Sequence, residues 1–574
     1  MSPDLEVPRA NVPRQPTTVP TTLPRPHRFE IVLPAEVLIV LAALFLTLAA
    51  NVDFFRAALR GRTATDPATW GWLLALAVAV TAVHTLLMAL VAPRRLVRPV
   101  AAVLIVVAAA GSYFVHSFGV VLDPAMLRNV LHTDLHETRE LLNPTLAVHL
   151  LLYAVLPLGV LWFVRMPTCS WRQAIVRRVG LVGVSLLALV GSVMAVFQPL
   201  AAFTRNHHEV RYLITPASLV YSTGRALVGD ARAAVTTRKT LGADARPGAG
   251  WAARERPLVV LLVVGETARA ANWGLNGYAR QTTPRLAATA GLLNFADVQA
   301  CGTSTEVSLP CMFSAQGRRH YDEDAIRGSE SVLHLLARAG VAVHWRDNQS
   351  GCKGVCDGLP GDTVAVLNPP GLCGGGGCQD EGLMVDLDRR LAGVAAGPRQ
   401  AAHLWVLHQI GNHGPAYAKR YPTAYRRFEP TCDSDDLQRC TREQIVNAYD
   451  NALLYTDHLL ATAIERLRAQ ADRVDVALVY VSDHGESLGE SGLYLHGMPW
   501  ALAPKVQTQV PMVMWLSDSL YKAQGLAADC LAARARQPAR HDHLFHTLLG
   551  LLDVQTALYE PAMDLAADCR GAPP

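Results

Sequence analysis

Leu258-Val259-Val260-Leu261-Leu262-Val263-Val264-Gly265-Glu266 is an unbroken apolar run, bounded by Pro257 and Gly265, that stops on an acid. A short run rich in Leu and Val, closed by turn residues, reads as a strand buried on both faces, as in a parallel sheet. Val476-Ala477-Leu478-Val479-Tyr480-Val481-Ser482 repeats the pattern and stops on Asp483-His484-Gly485-Glu486. A shorter run, 404–407, precedes His408-Gln409-Ile410-Gly411-Asn412-His413-Gly414-Pro415. Helical patterns lie between these runs, notably over 443–469, so the alternation predicts an α/β domain over residues 257–574. Ligands of open α/β sheets gather beyond the carboxyl ends of strands, which is where Glu266, Asp483 and His484 fall. Two carboxylates and an imidazole suit zinc or a similar divalent ion. A strand-end Asp-His alone is as readily a capping Asp beside a surface His; Glu266 at a matching strand end tips the balance toward a metal.

Cys301-Gly302-Thr303-Ser304-Thr305-Glu306-Val307-Ser308-Leu309-Pro310-Cys311 sets hydroxyls between two cysteines. Such loops are common, and this one gains meaning only beside the acids and histidines above. Thr305 is the candidate nucleophile. A free threonine hydroxyl is a poor nucleophile at neutral pH, and a metal can lower its pKa while stabilising charge on a phosphoryl oxygen. Lys353, His413 and His496 form a second layer of candidates: lysine for phosphate as a point charge, histidine for protonating a leaving oxygen or holding a second metal. With 20 histidines in the chain, any single one is more often structural, and His403, His408 and the 541–546 cluster are read that way.

The chain has 574 residues, 51% hydrophobic and only 17% charged, less charge than a soluble protein of this size carries. A net charge of +4 gives no nucleic-acid signal. The apolar excess sits before residue 200, in five segments near 35–56, 70–92, 99–121, 145–164 and 179–198, each close to the ~20 residues that cross a hydrocarbon core. Residues 31–200 are thus expected to be a transmembrane domain of five helices. Residues 1–30, rich in Pro, Thr and Arg, read as a cytoplasmic tail rather than a signal peptide. Arg9, Arg14, Arg25 and Arg28 precede the first segment, Arg94, Arg95 and Arg98 fill the second connection, and Arg165, Arg172, Arg177 and Arg178 the fourth. These regions go inside, and an odd number of crossings exports the rest. Arg56, Arg60 and Arg62 in the first outside loop weaken this asymmetry without reversing it. The other outside loop, 122–144, spaces its apolar residues as short amphipathic surface helices do, though a solvated loop has similar spacing. Residues 201–256 read as a bridging helix and linker.

The cysteines agree with this topology. Cys169 falls inside, and the other ten lie after residue 300, outside, where disulfides form. Spacing suggests Cys301–Cys311, Cys352–Cys356, Cys373–Cys378, Cys432–Cys440 and Cys530–Cys569, but sequence does not fix connectivity. Zinc held by Cys352, Cys356, Cys373 and Cys378 is the rival reading.

Taken together, Gly265-Glu266-Thr267-Ala268-Arg269 through Asn276-Gly277-Tyr278, Cys301 to Phe313, Asn412-His413-Gly414-Pro415, Ser482 to Glu490 and Tyr494-Leu495-His496-Gly497 resemble the phosphoethanolamine transferases of Gram-negative inner membranes. That family includes lipid A-modifying and transferable colistin-resistance enzymes, within the alkaline phosphatase/sulfatase superfamily. The resemblance implies five membrane helices followed by a periplasmic α/β domain of that superfamily's type. It implies zinc at Glu266, Thr305, Asp483 and His484, one ion tightly bound and a second allowed, with Thr305 carrying phosphoethanolamine. It implies that Lys353, His413 and His496 serve the substrate phosphate, with Glu486 nearby, and that Asn129 and Glu137 help bind the head group. The spacing-based cysteine pairs match the family too, although Cys352–Cys356 is not general in it. Glu306 departs from the pattern, because a small residue often follows the nucleophile. Sulfatases need Cys or Ser, then Pro two residues on and Arg two further; Ser308-Leu309-Pro310-Cys311-Met312 has Met in the Arg position, which argues against sulfatase chemistry.

The expected reaction moves phosphoethanolamine from phosphatidylethanolamine to lipid A or another lipopolysaccharide acceptor, through a phosphothreonine diester, in a monomeric enzyme of the inner membrane. Reduced surface negative charge would then weaken polymyxin binding. A phosphoglycerol transferase building an anionic envelope polymer is the alternative chemistry. A membrane-anchored zinc sensor is the non-enzymatic one, and it gives Thr305 no role.

Overall fold

The computed structural model describes residues 31–133, 135–235, 238–374 and 377–571; the tail expected over 1–30 lies outside the described residues. The first apolar segment is broken. Helix α1, Ala35–Ala50, and helix α2, Val52–Ala58, meet at an angle of 64°. Asn51 makes the break: its Nδ2 donates to Leu46 O at 2.8 Å and Thr215 O at 2.7 Å, and its Oδ1 accepts from Thr215 N at 2.8 Å. A buried amide side chain thus ties the end of α1 to the backbone at Thr215, where a side chain enters the helix ladder.

Helix α3, Pro67–Val91, and the span ending in helix α4, Val97–Phe118, follow. Helices α5, Pro124–Leu131, and α6, Leu135–Glu140, occupy the connection where surface helices were expected. The next span joins α7, Pro144–Leu150, to α8, Leu156–Phe163, through a π turn at Leu151–Val155. Pro157 lacks the N–H an α-helix would need there, so the ladder loosens just before it. Helix α9, Trp171–Ala195, starts earlier than hydropathy suggests, because Ser170 and Gln173 form a capping box that brings Arg172, Arg177 and Arg178 into the helix. Four described helices are long and apolar enough to cross a membrane, and the bent α1–α2 pair makes five if it is one span. Arg178 Nη1 donates to Ala89 O and Ala92 O at the end of α3, and Arg98 Nη2 to Trp162 O near the end of α8. Cations so placed satisfy terminal carbonyls and complement the helix dipole. Helices α10, Phe197–Asn206, and α11, Ala217–Val235, lead toward the second half of the chain.

That half is built on eight strands: β1 Leu258–Gly265, β2 Leu293–Gln299, β3 Ala342–Asp347, β4 Gly361–Thr363, β5 Ala402–His408, β6 Asp475–Ser482, β7 Gln509–Leu516 and β8 Ala539–Arg540, in the order β8-β2-β7-β6-β1-β5-β3-β4. The central strands β6, β1, β5 and β3 are parallel, while β7 runs antiparallel to both neighbours. Val260, Leu262 and Val264 enter one apolar layer, and Val259, Leu261 and Val263 the other. Both faces of β1 are therefore buried, as its unbroken apolar run required. The second layer continues into Tyr113 and Phe118 of α4 and Leu127 of α5, so the membrane-side helices share a core with the sheet.

Helix α12, Thr305–Met312, holds the hydroxyl-rich loop's second half, and helix α13, Glu323–Arg327, follows it. Helix α14, Arg442–Arg468, starts at a capping box of Thr441 and Gln444 and buries its apolar face on the sheet. All five cysteine pairs suggested by spacing are disulfides, and Cys169 is free. Cys352 and Cys373 each bond a near neighbour, which overturns the zinc–cysteine alternative.

Candidate active site

Register creates the site. Strands β6 and β1 run in parallel with Ser482 opposite Gly265, so the next residue of each, Asp483 and Glu266, emerges at the same edge. Strand β5 ends beside them with His408 opposite Val264. Glu266, Asp483 and His484 are fully buried, and each offers a ligand atom within 4.8 Å of the others. His484 Nδ1 sits 2.9 Å from Gly485 O, so Nδ1 donates there and Nε2 is turned toward the carboxylates. Glu266 Oε1 and Asp483 Oδ2 lie 3.3 and 3.4 Å from that Nε2, yet neither accepts a hydrogen bond from any described group.

Such groups are costly to bury without a counter-charge. Burial and then Glu266 push Asp483 up to about 7. Asp483 and Glu266 lift His484 to about 10 against the effect of burial. Glu266, opposed by burial, is held well below the usual carboxylate range by His484. Two orphaned carboxylate oxygens and an imidazole nitrogen turned toward them, whose proton a cation would replace, fit a divalent ion such as zinc.

Thr305 is the first residue of α12, and its Oγ1 donates to Glu266 Oε2 at 2.9 Å and lies 3.3 Å from His484 Nε2. Thr305 and the three metal candidates named from sequence are therefore in one cluster. The free N–H groups at a helix start favour a negatively charged ligand there. Ser308, one turn on, anchors the helix: its Oγ accepts from Gly302 N at 2.9 Å and donates to Asp483 O at 2.5 Å. Gly302 has to be glycine, since a Cβ there would lie 2.8 Å from Ser308 N.

His413 and His496 line a mainly apolar cavity of about 330 Å³. Asn129 and Glu137 line it as well, with Phe114 and Phe118 of α4. The ring of His496 is 4.4 Å from that of His484 and 5.6 Å from that of His413. Burial drives His413 down to about 3, so it is neutral. Glu486 stands behind His496 rather than in the cavity: its Oε2 is 2.9 Å from His496 Nδ1, and its Oε1 accepts from Tyr417 Oη at 2.5 Å. Lys353 lines a separate polar recess of about 90 Å³ with Asp230, Arg238 and Arg327, and its Nζ donates to Ser350 Oγ at 2.8 Å.

Sequence reasoning missed three supports. Gln349 Nε2 donates to Glu266 Oε2 at 3.0 Å. Asp347 at the end of β3 pairs with His408 at the end of β5, 3.0 Å apart, and the same strand-end rule that found Glu266 would have found it. His541, left among the structural histidines, bridges Cys301 N and Ser482 O at 3.0 and 2.9 Å, tying the Cys301–Cys311 loop to β6 through contacts that no spacing reveals.

The family described as Sulfatase matches residues 259–554, and the family described as Phosphoethanolamine transferase EptA/EptB matches residues 80–231. The Met that stands where a sulfatase needs Arg, Met312, is fully buried in the core. Phosphoethanolamine transferase EptA of Escherichia coli K12 is 37% identical over 93% of this chain and 96% of its own length. Phosphatidylethanolamine transferase Mcr-1 of Escherichia coli is 38% identical over 90% of this chain and 95% of its own. The solved structure of the integral membrane protein lipooligosaccharide phosphoethanolamine transferase A (EptA) from Neisseria meningitidis superposes with a TM-score of 0.88 at 36% identity, covering 94% of this chain and 99% of that one. Agreement along nearly the whole length, spans and sheet alike, means that the chain belongs to the phosphoethanolamine transferase family and is an enzyme of that type.

Proposed function

We propose that the protein transfers phosphoethanolamine from phosphatidylethanolamine to lipid A or another lipopolysaccharide acceptor, by way of Thr305. The observation that carries this reading is the placement of the Thr305 hydroxyl: it meets Glu266 and His484 beside two histidines that line an apolar cavity built partly from α4 and α5. A lipid donor needs apolar walls next to the reacting phosphate, and the cavity supplies them.

Glu266, Asp483, His484 and Thr305 are the residues that would hold zinc. When bound, zinc supplies positive charge beside the nucleophile and the phosphoryl group. Glu266 Oε2 receives the Thr305 proton in the hydrogen bond already formed. Thr305 Oγ1 forms the new bond to phosphorus, the bond to the diacylglycerol oxygen breaks, and that oxygen takes up a proton. His496, with Glu486 behind its ring, is placed to deliver it, while neutral His413 orients the phosphate. An acceptor phosphate or hydroxyl oxygen then displaces Thr305 from phosphorus; the acceptor's proton, or one from solvent where the acceptor is an ionised phosphate, restores His496, and Glu266 returns its proton to Thr305. Asn129 and Glu137 face the ethanolamine group, and Lys353 the acceptor's phosphates.

Both substrates are membrane lipids, so five spans (residues 31–200), a bridge (201–256) and a catalytic domain (257–574) are set in the inner membrane with the catalytic domain in the periplasm. The enzyme works as a monomer. An added ethanolamine cation lowers surface negative charge and with it polymyxin binding. Incubation with labelled phosphatidylethanolamine should leave label on the peptide containing Thr305, and Thr305→Ala should abolish the adduct and lower transfer by at least ~10³-fold. Label on Ser304 or Ser308, or label taken only from phosphatidylglycerol, would defeat the reading.

A further inference from the structure

Five charged side chains and a histidine close a ring where α5 meets the nucleophile helix. Arg128 Nε donates to Asp230 Oδ1 at 2.9 Å. Asp230 Oδ2 lies 3.3 Å from His132 Nε2, and His132 Nδ1 lies 3.2 Å from Glu306 Oε1. Glu306 Oε1 accepts from Arg327 Nη2 at 2.8 Å. Arg327 Nε donates to Glu323 Oε1 at 3.3 Å, and Glu323 closes the circuit on Arg128. Bases and acids alternate throughout, so no like charges are neighbours in the ring.

The ring's origin gives it meaning. Arg128 and His132 belong to α5 and its C-terminal end, Asp230 to α11, Glu306 to α12, and Glu323 and Arg327 to α13. Helix α5 packs along α11 and touches α12. Its Met126, Leu127, Asn129 and Val130 line the apolar cavity, while Glu306 is the residue after the nucleophile. Glu306 is only 1% exposed, so its carboxylate depends on the Arg327 guanidinium for counter-charge, with His132 Nδ1 within hydrogen-bond distance. The guanidinium of Arg128 has room because residue 229 is glycine; a Cβ there would lie 2.5 Å from Nη2. Exposed ion pairs in isolation are worth little, but a network fixed at a buried acid holds its members in one arrangement.

We propose that this ring positions α5, the wall of the lipid cavity, against the nucleophile helix, making Arg128, His132, Asp230, Glu306, Glu323 and Arg327 positioning residues for the lipid donor. The proposal deepens the donor reading above and rests on it. Glu306 replaces the small residue expected after the nucleophile, and its carboxylate is what joins the ring to α12.

His132 and Glu323 stand opposite each other in the ring, and neither lines the lipid cavity or the Lys353 recess. The full-length enzyme carrying His132→Gln, Glu323→Gln or both is assayed with phosphatidylethanolamine in vesicles and with a water-soluble phosphoethanolamine diester. Each single variant should raise KM for the vesicle donor about tenfold and change turnover of the soluble diester less than about twofold. The double variant should fall well short of the product of the singles, although the two side chains are not in contact. Hydrogen exchange in residues 124–133 should speed up about tenfold in both single variants and stay unchanged in α14. The exchange readout needs no substrate, so it judges the ring even if the wild-type enzyme ignores phosphatidylethanolamine, an outcome that would sink only the donor reading. Unchanged exchange in α5, an unchanged KM, equal losses with both donors, or effects that multiply would each overturn the ring.

Discussion

Behind the metal candidates, Asp347 and His408 form a buried pair, 3.0 Å apart. Burial alone would raise the Asp347 carboxyl, but His408 and hydrogen bonds from Trp345 and Gln349 take it from 3.8 to about 2. Burial likewise opposes a charged His408, and Asp347 raises it above 6.5 nonetheless. Folding therefore favours the ionised acid, and that share of stability, about 2 kcal/mol, is present above pH ~4 and lost as pH falls through ~2. The histidine's share is complete below pH ~6.5 and disappears as pH rises through its elevated folded value. The pair is thus at full strength between about pH 4 and 6.5. Asp347→Asn should lower the melting temperature of the detergent-solubilised enzyme most in that window and flatten the acid limb of its pH profile. Profiles for the two proteins that run parallel from pH ~3 to ~8 would show that the pair adds nothing.

At the scale of elements, what the sequence made legible were the strands and their ends. The runs at 258, 404 and 476 are strands β1, β5 and β6, and the acids and histidines that follow them converge because parallel neighbours in register end together. Asn51 was illegible, because an amide that breaks a helix does so through Thr215, far along the chain. The docking of α5 was illegible for a related reason: amphipathic spacing says that a helix has an apolar face and not what covers it. Gly497 shows how close that docking is. It sits at φ 89°, and a Cβ on it would lie 2.9 Å from Met126 Sδ of α5. Gly497→Ala should therefore raise KM for the lipid donor about fivefold, on top of a backbone cost of about 1 kcal/mol. Gly277→Ala is the matched control, with φ 85° and nothing within 4 Å of the added Cβ; it should cost stability alone. Equal KM values for the two variants would mean that α5 yields freely.

For the molecule as a whole, the cysteines make the sides of the membrane testable. Ten are paired, all in the sheet half, and Cys169 alone is free, in the connection between α8 and α9. Disulfides persist in oxidising compartments, which predicts that the sheet half faces one. Counting back, if each candidate span crosses, α9 would put Cys169 on the opposite side, the α7–α8 span would return α5 and α6 to the sheet's side, and α4 and α3 would cross again. The chain's start then depends on the bent pair at Asn51: one span puts Ser2 on the side of Cys169, and a re-entrant loop puts it on the side of the sheet. A membrane-impermeant maleimide should label Cys169 only after intact spheroplasts are permeabilised. A Ser2→Cys, Cys169→Ser variant should behave in the same way if α1 and α2 together cross. Labelling of position 2 in intact spheroplasts, with Cys169 still protected in the wild type, would reduce the spans to four and make α1–α2 a hairpin anchored by Asn51. Labelling of Cys169 itself would reverse the whole topology and take the lipid cavity away from the compartment in which lipopolysaccharide is modified.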